Sequence, residues 1–285
     1  MQTTLQSKQK TVSIYAEGPV VIIGEKINPT GFKKLAAALQ EGNYDYIRDL
    51  ALRQVGAGAD VLDVNVGVPG MDDVKMMPEI VRIVAECVDV PICLDSPNPA
   101  ALAAGLAAAP GKPLVNSVSG EESRLKSVLP LVKERGAAVI ALTMDDQGIP
   151  ATPEERLVIA ERILERAARL GIPAEDVVID PLVMSVGSDS LAGRVTLKTI
   201  ELLHSRLGVN INLGASNVSF GLPDRLTVNQ AFLALAIGAG ASCAITDPMK
   251  LTGIIRATDL VLGRDEYAMR FIKYFRSLPK EAASK

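Results

Sequence analysis

The sequence predicts an α/β protein that folds as a TIM (β/α)8 barrel, and three observations support this fold class. Eight short apolar runs suited to β-strands alternate with helical segments along the chain. These runs are apolar at successive positions, as expected of strands in a parallel sheet that is covered on both faces. The chain has 285 residues, of which 48% are hydrophobic, so a large core is available. Eight strand–helix units in roughly 250 residues are typical of a TIM barrel.

The eight predicted strands are separated by segments with helical periodicity. The strands cover residues 19–28, 60–66, 90–96, 113–119, 137–145, 176–182, 209–217 and 242–247. The helical segments include 44–59, 153–171 and 228–241. The second of these follows the capping residue Thr152 and closes on Gly171, which is a common pattern at helix ends.

The barrel is predicted to occupy residues 19–278, after a tail and lead-in at 1–18 and before a C-terminal tail at 279–285. Both ends of the chain, residues 1–10 and 279–285, are expected to fray. The stretch "TVSIYAEG", at 11–18, is expected to form a small lid at the barrel bottom. The last helical stretch, "RDEYAMRFIKYFRSL", is expected to pack outside the barrel.

A doubly wound α/β sheet is the rival fold. Such a sheet normally carries a glycine-rich phosphate-binding turn after its first strand. Here the turn reads "GEKINPTG", which lacks the G-x-G-x-x-G spacing. The barrel is therefore the preferred prediction.

Composition and charge argue against several classes of function. The net charge of −3 is unsuited to a broad nucleic-acid-binding surface. No apolar run approaches the roughly 20 residues of a membrane span, and the first residues lack the apolar region of a signal peptide. The three cysteines, Cys87, Cys93 and Cys243, have no metal-ligand spacing. We expect them to be buried, reduced thiols in a cytoplasmic protein.

Polar side chains occur where nearly every predicted strand ends. The set comprises Glu25, Asn28, Asp63, Asn65, Asp95, Ser96, Asn116, Asp145, Asp180, Ser216, Asn217 and Asp247. The carboxyl ends of all barrel strands meet at one mouth, where active sites lie. Asp63 and Asn65 are two positions apart in an otherwise apolar strand, so both are expected to point the same way. Such a ring of acids and amides suits a flat, polar ligand with several hydrogen-bonding groups.

Helix capping, metal binding and phosphate binding account less well for the polar strand ends. Asp and Asn also cap helices, which accounts for single residues more readily than for a whole ring. Zinc would require more nitrogen or sulfur ligands, and magnesium on two Asp residues is the remaining metal alternative. His204 is the only histidine and is expected on an outer helix face, which excludes a Ser-His-Asp triad at the mouth. A phosphosugar is disfavoured because the seventh and eighth strands lack a lysine cluster.

Six motifs, in order, resemble those of the pterin-binding methyltransferases. They are "IIGEKINPTGFKKL" (22–35), "DVNVG" (63–67), "LDSPNP" (94–99), "VNSVSGEE" (115–122), "IDPL" (179–182) and "ASNVSFGLPDR" (215–225). This family includes the methyltetrahydrofolate:corrinoid protein methyltransferases and the folate domain of cobalamin-dependent methionine synthase. Dihydropteroate synthase shares the fold, but its opening and closing motifs differ from "INPTGFKK" and "AITDPMK".

The resemblance implies that tetrahydrofolate or 5-methyltetrahydrofolate binds at the mouth as substrate. The substrate-binding residues that it implies are Asp63, Asn65, Asp95, Asn116, Asp180, Ser216, Asn217 and Arg225. Carboxylates suit the 2-amino, N3–H and N8–H donors of the pterin, and amides suit its O4 and N1 acceptors. Asn217 is implied as the catalytic residue beside N5, where an amide stabilises the charge that develops during methyl transfer.

The resemblance also implies that a corrinoid arrives on a separate partner protein, because no D-x-H-x-x-G segment is present. It implies a homodimer and no metal bound by this chain. The loops at 67–73 and 181–190 are expected to determine which corrinoid protein docks. Two alternatives remain open on the sequence, a dihydropteroate synthase-like pterin enzyme and a folate-binding protein without catalytic activity.

Overall fold

The structure, a computed structural model, describes residues 1–278 as an α/β fold built around a parallel sheet of seven strands. The strands of this sheet are β3 (Val21–Ile27), β4 (Val61–Asn65), β5 (Ile92–Asp95), β6 (Leu114–Ser119), β7 (Ala138–Leu142), β8 (Val177–Asp180) and β9 (Cys243–Thr246). Their spatial order is β8-β7-β6-β5-β4-β3-β9, so the last strand in the chain pairs with the first of the sheet. This sequential order excludes the doubly wound alternative, in which the strand order reverses within the sheet.

The segment 209–214, predicted to begin a seventh strand of eight, lies between β8 and β9 but forms only two isolated bridges. Ile211 pairs with Ile179 of β8, and Gly214 pairs with Ile245 of β9. The regular ladder is interrupted because the backbone N–H of Ile211 donates to the Ser242 hydroxyl at 2.9 Å. The predicted seventh strand is therefore replaced by an irregular connection that ends in a short 3-10 helix, Ala215–Ser219.

Ten α-helices occur within the described residues, and most of them cover the outer face of the sheet. They are α1 (Lys33–Glu41), α2 (Tyr44–Gly56), α3 (Asp73–Cys87), α4 (Pro99–Ala108), α5 (Glu122–Arg135), α6 (Pro153–Arg169), α7 (Ala192–Leu207), α8 (Arg225–Ala239), α9 (Pro248–Val261) and α10 (Met269–Ser277). The predicted N-terminus of α6 is confirmed, since Thr152 and Glu155 form a capping box there. None of these helices is both long and apolar enough to cross a membrane.

The first residues form a β-hairpin, and the prediction that residues 1–10 fray is wrong. Strand β1 (Gln2–Gln6) pairs antiparallel with β2 (Thr11–Tyr15). The two strands alternate in burial, and Leu5 and Ile14 are completely buried. Their side chains join a core cluster with inward residues of the parallel strands, such as Cys93 and Cys243. The physical reason is this alternation, because one apolar face of the hairpin covers the core inside the sheet.

The C-terminal helix α10 packs outside the sheet against α9, as predicted. None of its residues is fully buried. Its N-terminus is held by Asp265, whose carboxylate accepts hydrogen bonds from the backbone N–H groups of Arg270 and Phe271. The predicted tail at 279–285 lies outside the described residues.

Candidate active site

A cavity of about 630 Å³ opens at the carboxyl ends of the parallel strands. It is lined by Glu25, Lys26, Asn28, Thr30, Phe32, Asp63, Asp95, Asn116, Leu142, Asp180, Leu182, Val183, Gly214, Ser216, Asn217, Arg225, Leu226, Asn229, Ile245, Asp247, Lys250 and Leu251. Seven of the eight predicted substrate-binding residues belong to this lining, Asn65 being the exception. The structure thus brings together residues that are up to 162 positions apart in the chain, from Asp63 to Arg225.

An irregularity in β3 places two consecutive residues at the cavity. The register between β3 and β4 shifts between Gly24 and Ile27. In a regular strand neighbouring side chains point to opposite faces, but a bulge removes this alternation locally. Glu25 and Lys26 therefore both line the cavity. The backbone N–H of Lys26 donates to the buried Gln54 side chain at 2.8 Å, which stabilises the irregular backbone.

The acids on β4 and β5 are bound by amide side chains. Asn116 Nδ2 donates to Asp63 Oδ1 at 3.2 Å, and Asn65 Nδ2 donates to Asp95 Oδ2 at 3.0 Å. Asn65 Oδ1 also accepts the backbone N–H of Gly67 at 2.8 Å, so this amide lies behind Asp95. Its position suits orientation of Asp95 rather than direct lining of the cavity.

Burial raises the pKa of the carboxyl groups near the sheet interior. Asp63 is 2% exposed, and its pKa is raised well above the usual range first by burial and then by the nearby Asp95 carboxylate. Burial likewise raises the pKa of Asp95 and of Glu25. Within residues 1–278, neither Asp63 nor Asp95 pairs with a lysine or arginine. Acids that are shielded from water without a cation are costly, so a ligand with N–H donors would compensate them.

Asp180, at the end of β8, has both carboxylate oxygens engaged by the protein. Oδ1 accepts the backbone N–H of Leu182 at 2.8 Å, and Oδ2 accepts Asn212 Nδ2 at 2.7 Å. Burial raises the pKa of Asp180 to about 6, although these hydrogen bonds oppose the shift. Each carboxylate oxygen accepts two hydrogen bonds, so Asp180 retains capacity for a ligand donor.

Asn217 and its neighbours form the opposite side of the cavity, on the 3-10 helix after residue 214. The side chain of Asn217 is exposed and makes no hydrogen bond with other described residues, so it does not act as a helix or turn cap. Ser216 Oγ donates to the Glu25 carboxylate at 3.1 Å. Arg225 is held by Ser219 Oγ and by the carbonyl oxygen of Ser216, at 3.1 and 2.6 Å.

Asp247 combines a structural role with a position at the cavity. Its Oδ1 accepts the backbone N–H of Met249 and caps α9. Its Oδ2 pairs with Lys26 Nζ at 2.9 Å and lies 4.0 Å from Lys250 Nζ. Helix capping is thus confirmed for Asp247, which also lines the cavity.

Two further polar strand ends do not contribute to this cavity. Asp145, in the loop after β7, pairs with Arg162 at 2.7 Å and does not line the cavity. Ser96 Oγ accepts the backbone N–H of Asn98, and Ser96 lines a smaller neighbouring cavity of about 350 Å³. Their strand-end positions alone did not distinguish them from the cavity residues.

Lys26 and Lys250 are cavity residues that the sequence did not point out, and Glu25 was not predicted as part of the substrate site. Glu25 belongs to the strand-end ring, but the bulge that turns it towards the cavity has no clear signal in "IIGEKIN". Lys250 follows the segment "AITDPM", at the start of a helix. Its place in the first turn after the last strand is the sequence signal that could have indicated it.

His204 takes no part in the site. It lies on α7 and packs against Gly240, where an added Cβ would come within 2.9 Å of the imidazole Cγ. The predicted packing role is confirmed, but the imidazole is half-buried and does not lie on an exposed outer face. Among residues 1–278, no three His, Cys, Asp or Glu side chains are arranged to hold a metal ion.

The fold and the cavity define a class of enzyme, and the chain belongs to the pterin-binding enzyme family, whose profile matches residues 24–247. A methylcorrinoid:tetrahydrofolate methyltransferase of Eubacterium limosum is 33% identical over 264 residues, which are 90% of this chain and 96% of that protein. The methionine synthase of Mycobacterium tuberculosis is 32% identical over 92% of this chain, but the chain spans only 24% of that enzyme. The family resemblance predicted from the six motifs is confirmed.

Solved structures of dihydropteroate synthase share the fold. A Yersinia pestis enzyme superposes with a TM-score of 0.71 and 17% identity, covering 92% of this chain and all of that chain. An enzyme from Vibrio fischeri ES114 gives a TM-score of 0.67 at 18% identity. At such low identity the likeness shows the fold alone.

Proposed function

We propose that this protein transfers a methyl group between N5 of tetrahydrofolate and the cobalt of a corrinoid carried by a separate protein. The observation that carries the proposal is the group of acids and an amide that line the cavity, formed by the half-buried Asp95 and Asn116 and the buried Asp180. The Eubacterium limosum relative, by its name, acts between a methylcorrinoid and tetrahydrofolate, and nearly its full length is matched.

The cavity residues suit the edge of a pterin ring. Asp95 and Asp180 accept hydrogen bonds from the ring N–H and amino groups, while Asn116 retains a side-chain oxygen and one N–H for the ligand. Asp63 holds the amide of Asn116, and Asn65 holds the carboxylate of Asp95. These two residues therefore act by positioning the groups that meet the ring. The cavity volume of about 630 Å³ lies within the range of small-molecule sites.

Asn217 is the residue that we assign to N5. Its amide has no other partner among the described residues, so it is available to stabilise charge that develops on N5 during the transfer. The corrinoid supplies the cobalt centre that accepts or donates the methyl group. Glu25, linked to the Asn217 segment through Ser216, is a half-buried acid that also lines the cavity.

The corrinoid itself requires a partner, because this chain offers no histidine near the cavity. Its single histidine, His204, packs on α7. We infer that a corrinoid protein docks over the mouth, where the methyl group leaves the cavity. Exposed apolar side chains near that opening, including Phe32, Met184 and Leu226, support such docking.

Together with this function we propose a closed barrel, a cytoplasmic location and a homodimer. We infer that the irregular segment 209–214 completes a closed eight-stranded (β/α)8 barrel, supported by its bridges to both β8 and β9. Three free thiols support a cytoplasmic location. A homodimer is proposed from the family resemblance, and light scattering on the purified protein tests it, with a monomer mass contradicting it.

The proposed function is tested with purified components. The protein alone is expected to show no corrinoid absorbance and to transfer methyl groups only when a corrinoid protein, or free cobalamin as a poor substitute, is added. Methyl transfer is followed by the spectral change of the corrinoid. Stoichiometric cobalt in the isolated chain would contradict the separate partner. Folate binding without any transfer would instead favour a non-catalytic folate-binding protein.

Dihydropteroate synthase activity is the second candidate, favoured by the shared fold of the solved structures. An assay with p-aminobenzoate and a dihydropterin pyrophosphate separates the two. Dihydropteroate formation, with no methyl transfer to or from a corrinoid, would replace the proposed function.

A further inference from the structure

The charges of the cavity are separated by depth. Asp63 and Asp180 are buried at 2% and 6% exposure, whereas the side chain of Lys250 is 66% exposed. Two more cations, Lys26 and Arg225, also line the cavity. The buried part is therefore acidic and the opening is basic. This polarity suits a ligand with a donor-rich head and an anionic tail.

Of the three cations, Lys250 is the one least engaged by the protein. Lys26 Nζ lies 2.9 Å from Asp247 Oδ2, and its side chain is 16% exposed. Arg225 donates to Ser219 Oγ and to the carbonyl oxygen of Ser216. Lys250 Nζ lies 4.0 Å from the Asp247 oxygen that Lys26 already contacts more closely. Two amino groups share one carboxylate, which leaves a net positive charge at the opening.

The position of Lys250 on α9 strengthens the case for an anionic ligand. Helix α9 begins at Pro248, so Lys250 lies in its first turn. The helix macrodipole disfavours a cation there and favours an anion. Lys250 therefore contributes little to the stability of its own helix. An anion held by its amino group would gain from both the lysine and the dipole.

We propose that Lys250 binds the carboxylates of the glutamate tail of the folate and so favours folates with a longer γ-linked glutamate tail. This inference rests on the proposed function, because it assumes that the pterin head occupies the acidic end of the cavity. Removal of one solvent-exposed ion pair weakens binding by about two- to fivefold at low salt. Because exposed charges are screened, the effect disappears as salt rises.

The test measures the affinity of three ligands for the whole protein by titration calorimetry, at low and at high salt. The ligands are 5-methyltetrahydrofolate, its triglutamate, and a tetrahydropterin without the benzoylglutamate tail. The variants are Lys250→Gln and Lys250→Glu, and the second places a favourable acid in the first turn of α9, so the fold is retained. Lys198→Gln is the matched control, since this lysine on α7 is 58% exposed and lies outside the cavity.

Both Lys250 variants are expected to lose affinity for 5-methyltetrahydrofolate, and more for the triglutamate, with Lys250→Glu the weaker binder. Their affinity for the tail-less tetrahydropterin stays at the wild-type level, and Lys198→Gln matches wild type throughout. Unchanged folate affinity in both Lys250 variants would overturn the inference, as would an equal loss for the tail-less ligand. Failure of wild-type protein to bind any pterin would overturn the proposed function and this inference with it.

Discussion

Single residues at the cavity show how an amide can hold a buried acid ready for a ligand. Asp63 and Asp95 receive hydrogen bonds from Asn116 and Asn65, which carry no charge. These bonds satisfy part of each carboxylate without neutralising it. Asp95 lines the cavity, so its remaining lone pairs are available to a donor-rich ligand.

Loss of a cavity acid should weaken folate binding. Each hydrogen bond to a charged group contributes about 1.5–3 kcal/mol, so Asp95→Ala or Asp180→Ala is expected to lower the affinity for tetrahydrofolate by about one to two decades. Titration calorimetry on folded variants measures this. Asp45→Ala, at an exposed acid on α2, serves as the control. Wild-type affinity in both cavity variants would remove the pterin assignment.

Asn217 is expected to affect the transition state more than binding. Loss of a group that stabilises developing charge typically lowers a rate by about a hundred- to thousandfold. Because the side chain of Asn217 makes no hydrogen bond with described residues, Asn217→Ala should keep the wild-type thermal midpoint. Single-turnover rates, folate affinity and thermal midpoint are measured on the same variant. If the rate per bound folate equals that of wild type, another residue activates N5.

The titration of Asp180 should give stability and folate binding opposite pH dependences. Burial raises the pKa of Asp180 to about 6, above its ordinary value, so the folded state holds the proton more tightly than the unfolded state. Its contribution to stability is therefore fully present below the unfolded pKa, near 3.9, and is lost as pH rises through about 6. Folate binding gains over the same range, because the ionised carboxylate is the better acceptor.

Asp180→Asn removes this titration while keeping a side chain of similar shape. As pH rises, wild-type protein should lose stability relative to the variant. Its folate affinity should rise relative to that of the variant, by up to about tenfold per pH unit below pH 6. Urea unfolding and calorimetry at pH 5 to 7 measure both quantities. The titration of N5 on the ligand is common to both proteins and cancels in the comparison. Parallel pH profiles of the two proteins would show that Asp180 does not titrate in this range.

At the scale of elements, the N-terminal hairpin packs against the inward-facing residues of the parallel sheet. The buried residues of β1 and β2 pack against residues near the amino ends of the parallel strands, away from the end where the cavity opens. This arrangement leaves the carboxyl ends of the strands for ligands. At the carboxyl end of the sheet, the bulge in β3 adds both Glu25 and Lys26 to the cavity.

Truncation of the hairpin core should destabilise the protein without affecting the cavity. Leu5 is completely buried, and Leu5→Ala is expected to lower the free energy of unfolding by about 2–5 kcal/mol through lost burial and a new cavity. Gln2→Ala, at an exposed position of the same strand, is the control and should change stability by less than about 0.5 kcal/mol. Urea unfolding measures both. An unchanged midpoint for Leu5→Ala would mean that the hairpin is not part of the folded core.

At the scale of the whole molecule, the loop after β8 should contribute to docking of the corrinoid protein. Met184 lies in the loop at 181–190, is partly exposed, and does not line the cavity. Met184→Glu is expected to raise the KM for a corrinoid protein severalfold while turnover with free cobalamin is retained. The reason is that a charge placed in an apolar contact must be desolvated on docking.

Val158→Glu, at an exposed apolar residue on the outer helix α6, is the matched control for Met184→Glu. Steady-state rates with a corrinoid protein and with free cobalamin are compared for both variants. An equal change with both methyl acceptors would assign Met184 to the cavity chemistry. If Met184→Glu keeps the wild-type KM for the corrinoid protein, the docking surface lies elsewhere on the mouth.

The sequence by itself determined the alternation of strands and helices from β3 onwards, except at 209–214, together with the capping of α6 by Thr152 and the family. Apolar runs and end signals are local, and six motifs in order are specific. Only the tertiary structure decided which strand-end residues share the cavity. Parity along β4 predicted that Asp63 and Asn65 point the same way, and the contact of Asn65 with Asp95, a cavity residue, agrees with this; only the structure shows that Asn65 reaches Asp95 and does not line the cavity itself. Parity fails at the bulge in β3, where Glu25 and Lys26 both line the cavity, because bulges arise from pairing with neighbouring strands.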